Sequence, residues 1–350
     1  MSRALETLWQ KLQHAGLVQG EMPAKNTEQS PWFIKLLLAI SGWLAALFLM
    51  GSIGIGLSNL WREPTSALCI GLIMIGIAYA IFRSSKNEFA EHLALAISFA
   101  GQGWVVFAFL KLIESESLPL ILTGFLQLLL IVLMPHYLHR VFSSFCAAMA
   151  FSIAMISLNL PFVFTSALLL AAAWIWLHEF DYPQHLPILH PIGYGLVLAL
   201  LIIKGSNWFG NELWGLGNNT NDNFIQPWKG ELLSGIVALW VVYQILRRHF
   251  QILTQPLSLV ILMGTLLLCV ISLEARGITV GMVVLILGFA NSNRILMAVG
   301  VLSLLTYISA YYYLLDTTLL NKSFFLLLIG VVLLALRWVL LKFTSAQERK

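Results

Sequence analysis

Twelve apolar runs, parted by proline, asparagine and charged residues, dominate the chain. A membrane-crossing α-helix needs about 20 mostly apolar residues, within a range near 17–25. The first six runs are Ile34–Leu57, Thr65–Phe82, Phe89–Ile113, Leu118–Met134, Val141–Asn159 and Phe162–Leu177. The others are Leu186–Ile203, Gly230–Leu246, Leu257–Leu273, Ile278–Ala290, Ile295–Leu315 and Ser323–Leu341. The pattern predicts an all-α fold, a polytopic transmembrane helical bundle of about 12 spans filling residues 34–341. Ile278–Ala290 is the weak member, because its length suits a re-entrant or tilted segment as well as a crossing.

Charge decides that case. Short cytoplasmic loops carry the excess of Lys and Arg. With twelve crossings and the N-terminus inside, Arg62, Lys111, Lys204, Lys229, Arg276 and Lys322 lie outside, and the other 14 of the 20 basic residues lie inside. If Ile278–Ala290 does not cross, the bias vanishes. The expectation is therefore N-in/C-in, with residues 1–33 a cytoplasmic N-terminal segment and residues 342–350 a cytoplasmic tail. No cleavable signal is expected, because the polar residues 1–33 precede the first apolar run.

Two regions fall outside the bundle. Leu5, Leu8, Trp9 and Leu12 recur at helical spacing before Gly16, which predicts a short amphipathic helix on the cytoplasmic membrane surface. A partner-binding helix would show the same stripe. Residues 205–228 form the longest external loop, with Trp208, Phe209, Trp214, Phe224 and Trp228 among asparagines. Such aromatics belong at the headgroup level, and this reading is preferred to a recognition surface.

Composition agrees. The 350 residues are 59% hydrophobic and 10% charged, where a soluble domain carries about 25% charged residues. The mean hydropathy is +0.86. A cytosolic enzyme, a nucleic-acid-binding domain and a disordered chain are excluded. Cys69, Cys146 and Cys269 each sit in an apolar run, so neither a disulfide framework nor a CxxC metal motif is expected. Walker, HExxH and nucleophile-elbow motifs are absent from the sequence.

Polar side chains inside spans are costly and are the default functional candidates. The third run holds the most ordered set: Glu88, Glu91, His92, Ser98 and Gln102, with Gln102 between two glycines in Ala100-Gly101-Gln102-Gly103. This track is either a proton or substrate path or, as preferred at this point, helix-packing glue. The connection from His178 to His190 gathers His178, Glu179, Asp181, His185 and His190 with Pro183 and Pro187. Those types suit metal binding or acid–base chemistry, but their spacing matches no ligand motif, and an interfacial role is preferred. Glu274 and Arg276, in an outer turn, and Asp316, after Tyr311-Tyr312-Tyr313, read first as membrane anchors.

The runs Arg276-Gly277-Ile278-Thr279, Leu287-Gly288-Phe289-Ala290 and Asn293-Arg294 follow in fixed order. With Tyr311-Tyr312-Tyr313-Leu314-Leu315-Asp316 and Ala100-Gly101-Gln102, the chain resembles the bacterial inner-membrane family named domain of unknown function 4401. The resemblance implies a multi-pass protein of the bacterial inner membrane, often encoded beside a protein with a GDYxxLxY motif. It brings no catalytic residue, metal or cofactor.

Three functions fit these readings. The first is a non-enzymatic subunit of a membrane or envelope complex, whose partner is a membrane or periplasmic protein such as the GDYxxLxY one. The second is a transporter of a small or lipidic solute, although no internal repeat is visible. The third is a membrane-embedded transferase using His178, Glu179 and Asp181. The lipid bilayer is the common partner of all three.

Overall fold

The structure, a computed structural model, describes residues 63–84, 88–158, 160–213, 227–249, 256–273 and 277–314, with scattered positions in 9–16, 34–56 and 318–338. Among the described residues every regular element is helical. Ten helices have complete bounds: α1 Pro64–Ser84, α2 Glu88–Leu112, α3 Leu118–Leu133, α4 Tyr137–Ser157 and α5 Pro161–Leu177, then α6 Leu186–Leu213, α7 Pro227–His249, α8 Pro256–Ile271, α9 Ile278–Ala290 and α10 Arg294–Leu314. Two single 3₁₀ turns, Glu179–Asp181 and Pro183–His185, join α5 to α6.

Six of these helices, α1, α2, α4, α6, α7 and α10, are long and apolar enough to cross a membrane. The shorter α3, α5, α8 and α9 are also apolar. The chain is thus compatible with a multi-pass membrane protein. Prolines open several helices, at Pro64, Pro161, Pro227 and Pro256, where a missing N–H is harmless and the fixed φ suits the first turn.

Hydropathy marked the apolar stretch and not the helix. Residues 205–213, expected as the start of the long loop, continue α6 to Leu213, and Pro227 and Trp228 already belong to α7. No proline interrupts residues 204–213, so the backbone extends past the last apolar residue, with Ser206 Oγ donating back to the Ile203 carbonyl at 2.9 Å. Residues 214–226 lie outside the described residues.

Successive helices run antiparallel and pack as hairpins: α1 on α2, α3 on α4 and α9 on α10. The α1–α2 contact is a backbone approach. A Cβ placed on Gly71 would stand 2.6 Å from the Gly101 carbonyl oxygen, and one on Gly101 would stand 2.7 Å from that of Gly71. Small residues at such points let helices pack without hydrophobic driving force from lipid. The main core joins α4 to α10 around Trp176, Leu200, Val241, Val283 and Leu287.

Proline 191 stands inside α6, where it cannot donate to the carbonyl four residues back. That carbonyl belongs to Pro187, and Arg140 supplies the missing donor from α4 at 3.0 Å. The same guanidinium donates to Ile131 O in the last turn of α3 at 3.1 Å, satisfying an orphan C-terminal carbonyl. One arginine therefore ties three helices.

Candidate functional site

The described connections at residues 134–136, 178–185 and 291–293 gather at one end of the bundle, called here the loop-134 end; Gly277 and the ends of α6 and α8 mark the opposite end. Among the described residues, polar side chains concentrate in three places between these ends.

The first lies among α2, α3 and α4. His139 is fully buried, one turn into α4. Its ring sits between those of Phe82 and Phe99. Gln102, a further turn along α2 from Ser98, directs its amide nitrogen at His139 Nε2, 3.1 Å away. Ser98 Oγ is 2.8 Å from the same nitrogen. Gln127 of α3 donates to Gln102 Oε1 at 2.9 Å, and this orients the Gln102 amide. Nε2 of His139 is then the acceptor, and Nδ1 carries the proton toward Ser143 Oγ, 3.2 Å away. The centre is neutral and cross-links three helices.

Towards the loop-134 end the track continues. His136, at the N-cap of α4, places Nε2 3.6 Å from a Glu91 oxygen and stacks on Phe82. Burial, reinforced by His92, pushes the His136 imidazole down to about 4. His136 Nδ1, His92 Nδ1 and Gln127 Oε1 are buried without a hydrogen-bond partner. Such orphans are rare in folded proteins and mark places where water or a ligand belongs.

The second place is at the same end, in the 178–190 connection. Glu179 is buried and pairs with His190 through Oε1. Asn291, just after α9, donates to the Trp176 carbonyl at 2.6 Å and reaches Glu179 Oε2 at 3.4 Å. Arg248 of α7 donates to the Leu177 carbonyl. These contacts cap the last turn of α5.

The third place is at the opposite end. Lys204 of α6 and Glu231 of α7, each 2% exposed, pair at 2.8 Å. The backbone N–H of Gly277, before α9, also points at Glu231 Oε1, 3.3 Å away.

A family model described as a domain of unknown function (DUF4401) matches residues 31–343. The chain belongs to this family. All three polar centres of this DUF4401 chain lie inside the matched span. No curated protein and no solved structure matches it.

Several expected residues come together and others do not. Gln102 bonds to two neighbouring helices, while the close approach of Gly101 serves a third, α1. Glu91 joins His136, and His92 lies close enough to influence it. Glu179 joins His190. The His178 side chain, by contrast, stays at its own helix end, with Nδ1 3.0 Å from Trp174 O and its ring stacked on that of Trp174. Asp181 is 3.8 Å from Arg248 in an exposed contact, which contributes little. Glu274, Arg276 and Asp316 lie outside the described residues, as does the Glu88 side chain. Among the described residues no three His, Cys, Asp or Glu side chains cluster as metal ligands.

The sequence pattern did not single out Gln127 or Glu231, and it offered His139, with His136, only as a cytoplasmic-loop residue able to approach the 178–190 connection. Lys204 was expected among the external charges and is instead buried, because α6 continues past it. A signal existed: Lys204 and Glu231 are opposite charges at facing ends of two successive apolar runs. Gln127 was as visible as Gln102, a lone amide inside an apolar run. His139 was assigned to a loop because the run begins at Val141, while the helix begins at Tyr137.

Proposed function

We propose that this chain is a bacterial inner-membrane transporter that moves a small or lipidic solute together with protons. The observation that carries the proposal is the buried His139, bonded to Gln102 and close to a Glu91–His136 extension toward one end of the bundle. Ionisable groups inside spans are expensive, and where they persist they mark ion and proton paths. Glue alone needs amides and hydroxyls. It does not need histidines with unpartnered nitrogens beside them.

Twelve crossings with both termini cytoplasmic complete the reading. The basic residues support it more strongly once Lys204 is removed from the external set, because the balance moves from 14 against 6 to 14 against 5. Under this orientation the loop-134 end faces the cytoplasm, and the Glu91–His136 track opens there.

The test uses purified full-length protein in vesicles loaded with a pH-sensitive dye. A potassium diffusion potential supplies the driving force. Wild type should acidify the lumen, while folded Gln102→Ala and Glu91→Ala protein should not. Flux equal to that of empty vesicles would end the proposal.

A second reading, a non-enzymatic subunit of an envelope complex, draws on the far end of α10. There Tyr313 is 79% exposed and stands edge-on to Tyr312 at 5.4 Å. Such a platform suits a membrane or periplasmic partner, the GDYxxLxY protein being the first candidate. Extraction in mild detergent should then co-purify one defined protein, and Tyr313→Ala should lose it. Isolation as a clean monomer in several mild detergents would count against this reading.

A further inference from the structure

Lys204 and Glu231 are the most deeply buried opposite charges among the described residues, and neither the family match nor the transport track uses them. Taking both ions out of water costs several kcal/mol per ion, offset only by close geometry and extra hydrogen bonds. The geometry here is half complete. Glu231 Oε1 receives both the Lys204 ammonium and the Gly277 N–H. Its other oxygen, Oε2, is buried and has no partner.

Gly277 fixes what this carboxylate controls. Its φ of 89° lies in the left-handed region, and a Cβ there would stand 3.2 Å from the Tyr307 ring. Gly277 is the N-cap of α9, so its N–H bond to Glu231 pins the start of that helix to α7. Tyr307 in turn donates to the Leu201 carbonyl, one turn before Lys204, at 3.0 Å. Ser272, after α8, pairs with Thr279 in the first turn of α9. Five helices therefore meet around one carboxylate.

We propose that Glu231 is a proton-binding latch, taking a proton at Oε2 and thereby releasing Lys204 and the start of α9. The proton adds to the carboxylate, and no other bond is made or broken. The neutral acid no longer balances the Lys204 ammonium, which then swings along α6 toward the nearby end of the bundle. The groups that reach Glu231 are Lys204 from α6, Cys269 from α8, the Gly277 N–H from α9 and Tyr307 from α10; the Ser272 and Thr279 hydroxyls bond to each other. Lys229, two residues before it on α7, is exposed. Lys204 brings a compensating charge into the buried site. Use of the latch in transport rests on the reading above, whereas the latch itself does not.

Hydrogen exchange on full-length protein in lipid nanodiscs tests it, followed in peptides covering Ile278–Ala290 and corrected for intrinsic rates. Wild-type α9 should be at least about tenfold less protected at about pH 5 than at about pH 8. Glu231→Gln should show the unprotected level at every pH. Should that variant fail to fold, the doubly neutral K204Q/E231Q protein replaces it, with the same pH-independent result expected. Constant wild-type protection, or an unchanged pH response in K204Q/E231Q, overturns the latch. Protection that follows sodium when it is replaced by choline at constant pH overturns the proton in favour of a cation. Vesicles that carry no protons while α9 still answers to pH would sink the transport reading alone.

Discussion

Gln102 and His139, 37 positions apart, hold each other in one protonation state: the amide nitrogen of one lies 3.1 Å from Nε2 of the other. With Gln127 fixing the amide from behind, the imidazole is neutral and protonated on Nδ1. Selective ¹⁵N labelling of histidine should show a buried ring of that tautomer in wild type, absent in His139→Gln. A buried ring protonated on Nε2 instead would refute the assignment.

Truncating Gln102 strands the Gln127 amide and leaves His139 Nε2 with Ser98 Oγ alone. Interhelical hydrogen bonds in membranes average about 0.6 kcal/mol and reach about 1.7. Gln102→Ala should therefore cost about 1–2 kcal/mol in detergent unfolding, leaving a folded protein whose proton flux is lost. Retained flux with lost stability would reduce Gln102 to a packing role.

The α1–α2 contact gives a contrast within one helix. Gly71→Ala drives a Cβ to 2.6 Å from the Gly101 carbonyl, and overpacking of this kind costs about 1–3 kcal/mol. Gly76 has nothing within 4 Å of its own Cβ position. Gly76→Ala should be neutral or slightly stabilising, because alanine is the better helix former. Equal effects at both positions would show that the backbone approach is not a tight one.

Removing one partner of the Lys204–Glu231 pair leaves an uncompensated buried charge and should cost about 3–5 kcal/mol. Removing both should restore most of that loss. A double-mutant cycle with Lys204→Met and Glu231→Gln measures it, and additive effects would mean that the two charges do not depend on each other.

His136 sets an acid limit. Its imidazole, ordinarily near 6.5, is held down to about 4 by burial and by His92, despite Glu91 at 3.6 Å. Between those values the unfolded chain binds a proton that the folded one refuses. This contribution to stability is therefore complete above about 6.5, falls as pH drops and levels off near 4. Unfolding midpoints followed against pH should lose part of this slope in His136→Gln. An identical slope in the variant would place its origin elsewhere.

The helices were legible because the bilayer demands long apolar runs, and Ile278–Ala290 reappears as α9 with the same bounds. Helix ends were not, because hydropathy stops at the first polar residue while hydrogen bonding does not, as Lys204 and His139 show. Gln102 was visible as a polar residue in an apolar run, but its partners were not, since neighbouring helices bring together positions 25 and 37 residues apart. Arg140 was legible only as a cytoplasmic charge. Its work on Pro187 O depends on a proline 51 residues later, and no local pattern links the two.

Helix α9 carries one more consequence. Thirteen residues make a rod about 20 Å long, against a hydrocarbon slab of about 30 Å. Gly277 at one end and Asn291 at the other hold hydrogen-bonded backbone in place, so the rod cannot lengthen. Under the proposed twelve-crossing arrangement, the bilayer must thin at α9, or water must dip inward from both faces. Acyl-chain length then becomes a setting of this protein: thin membranes fit α9, and thick ones strain the Gly277 and Asn291 contacts first.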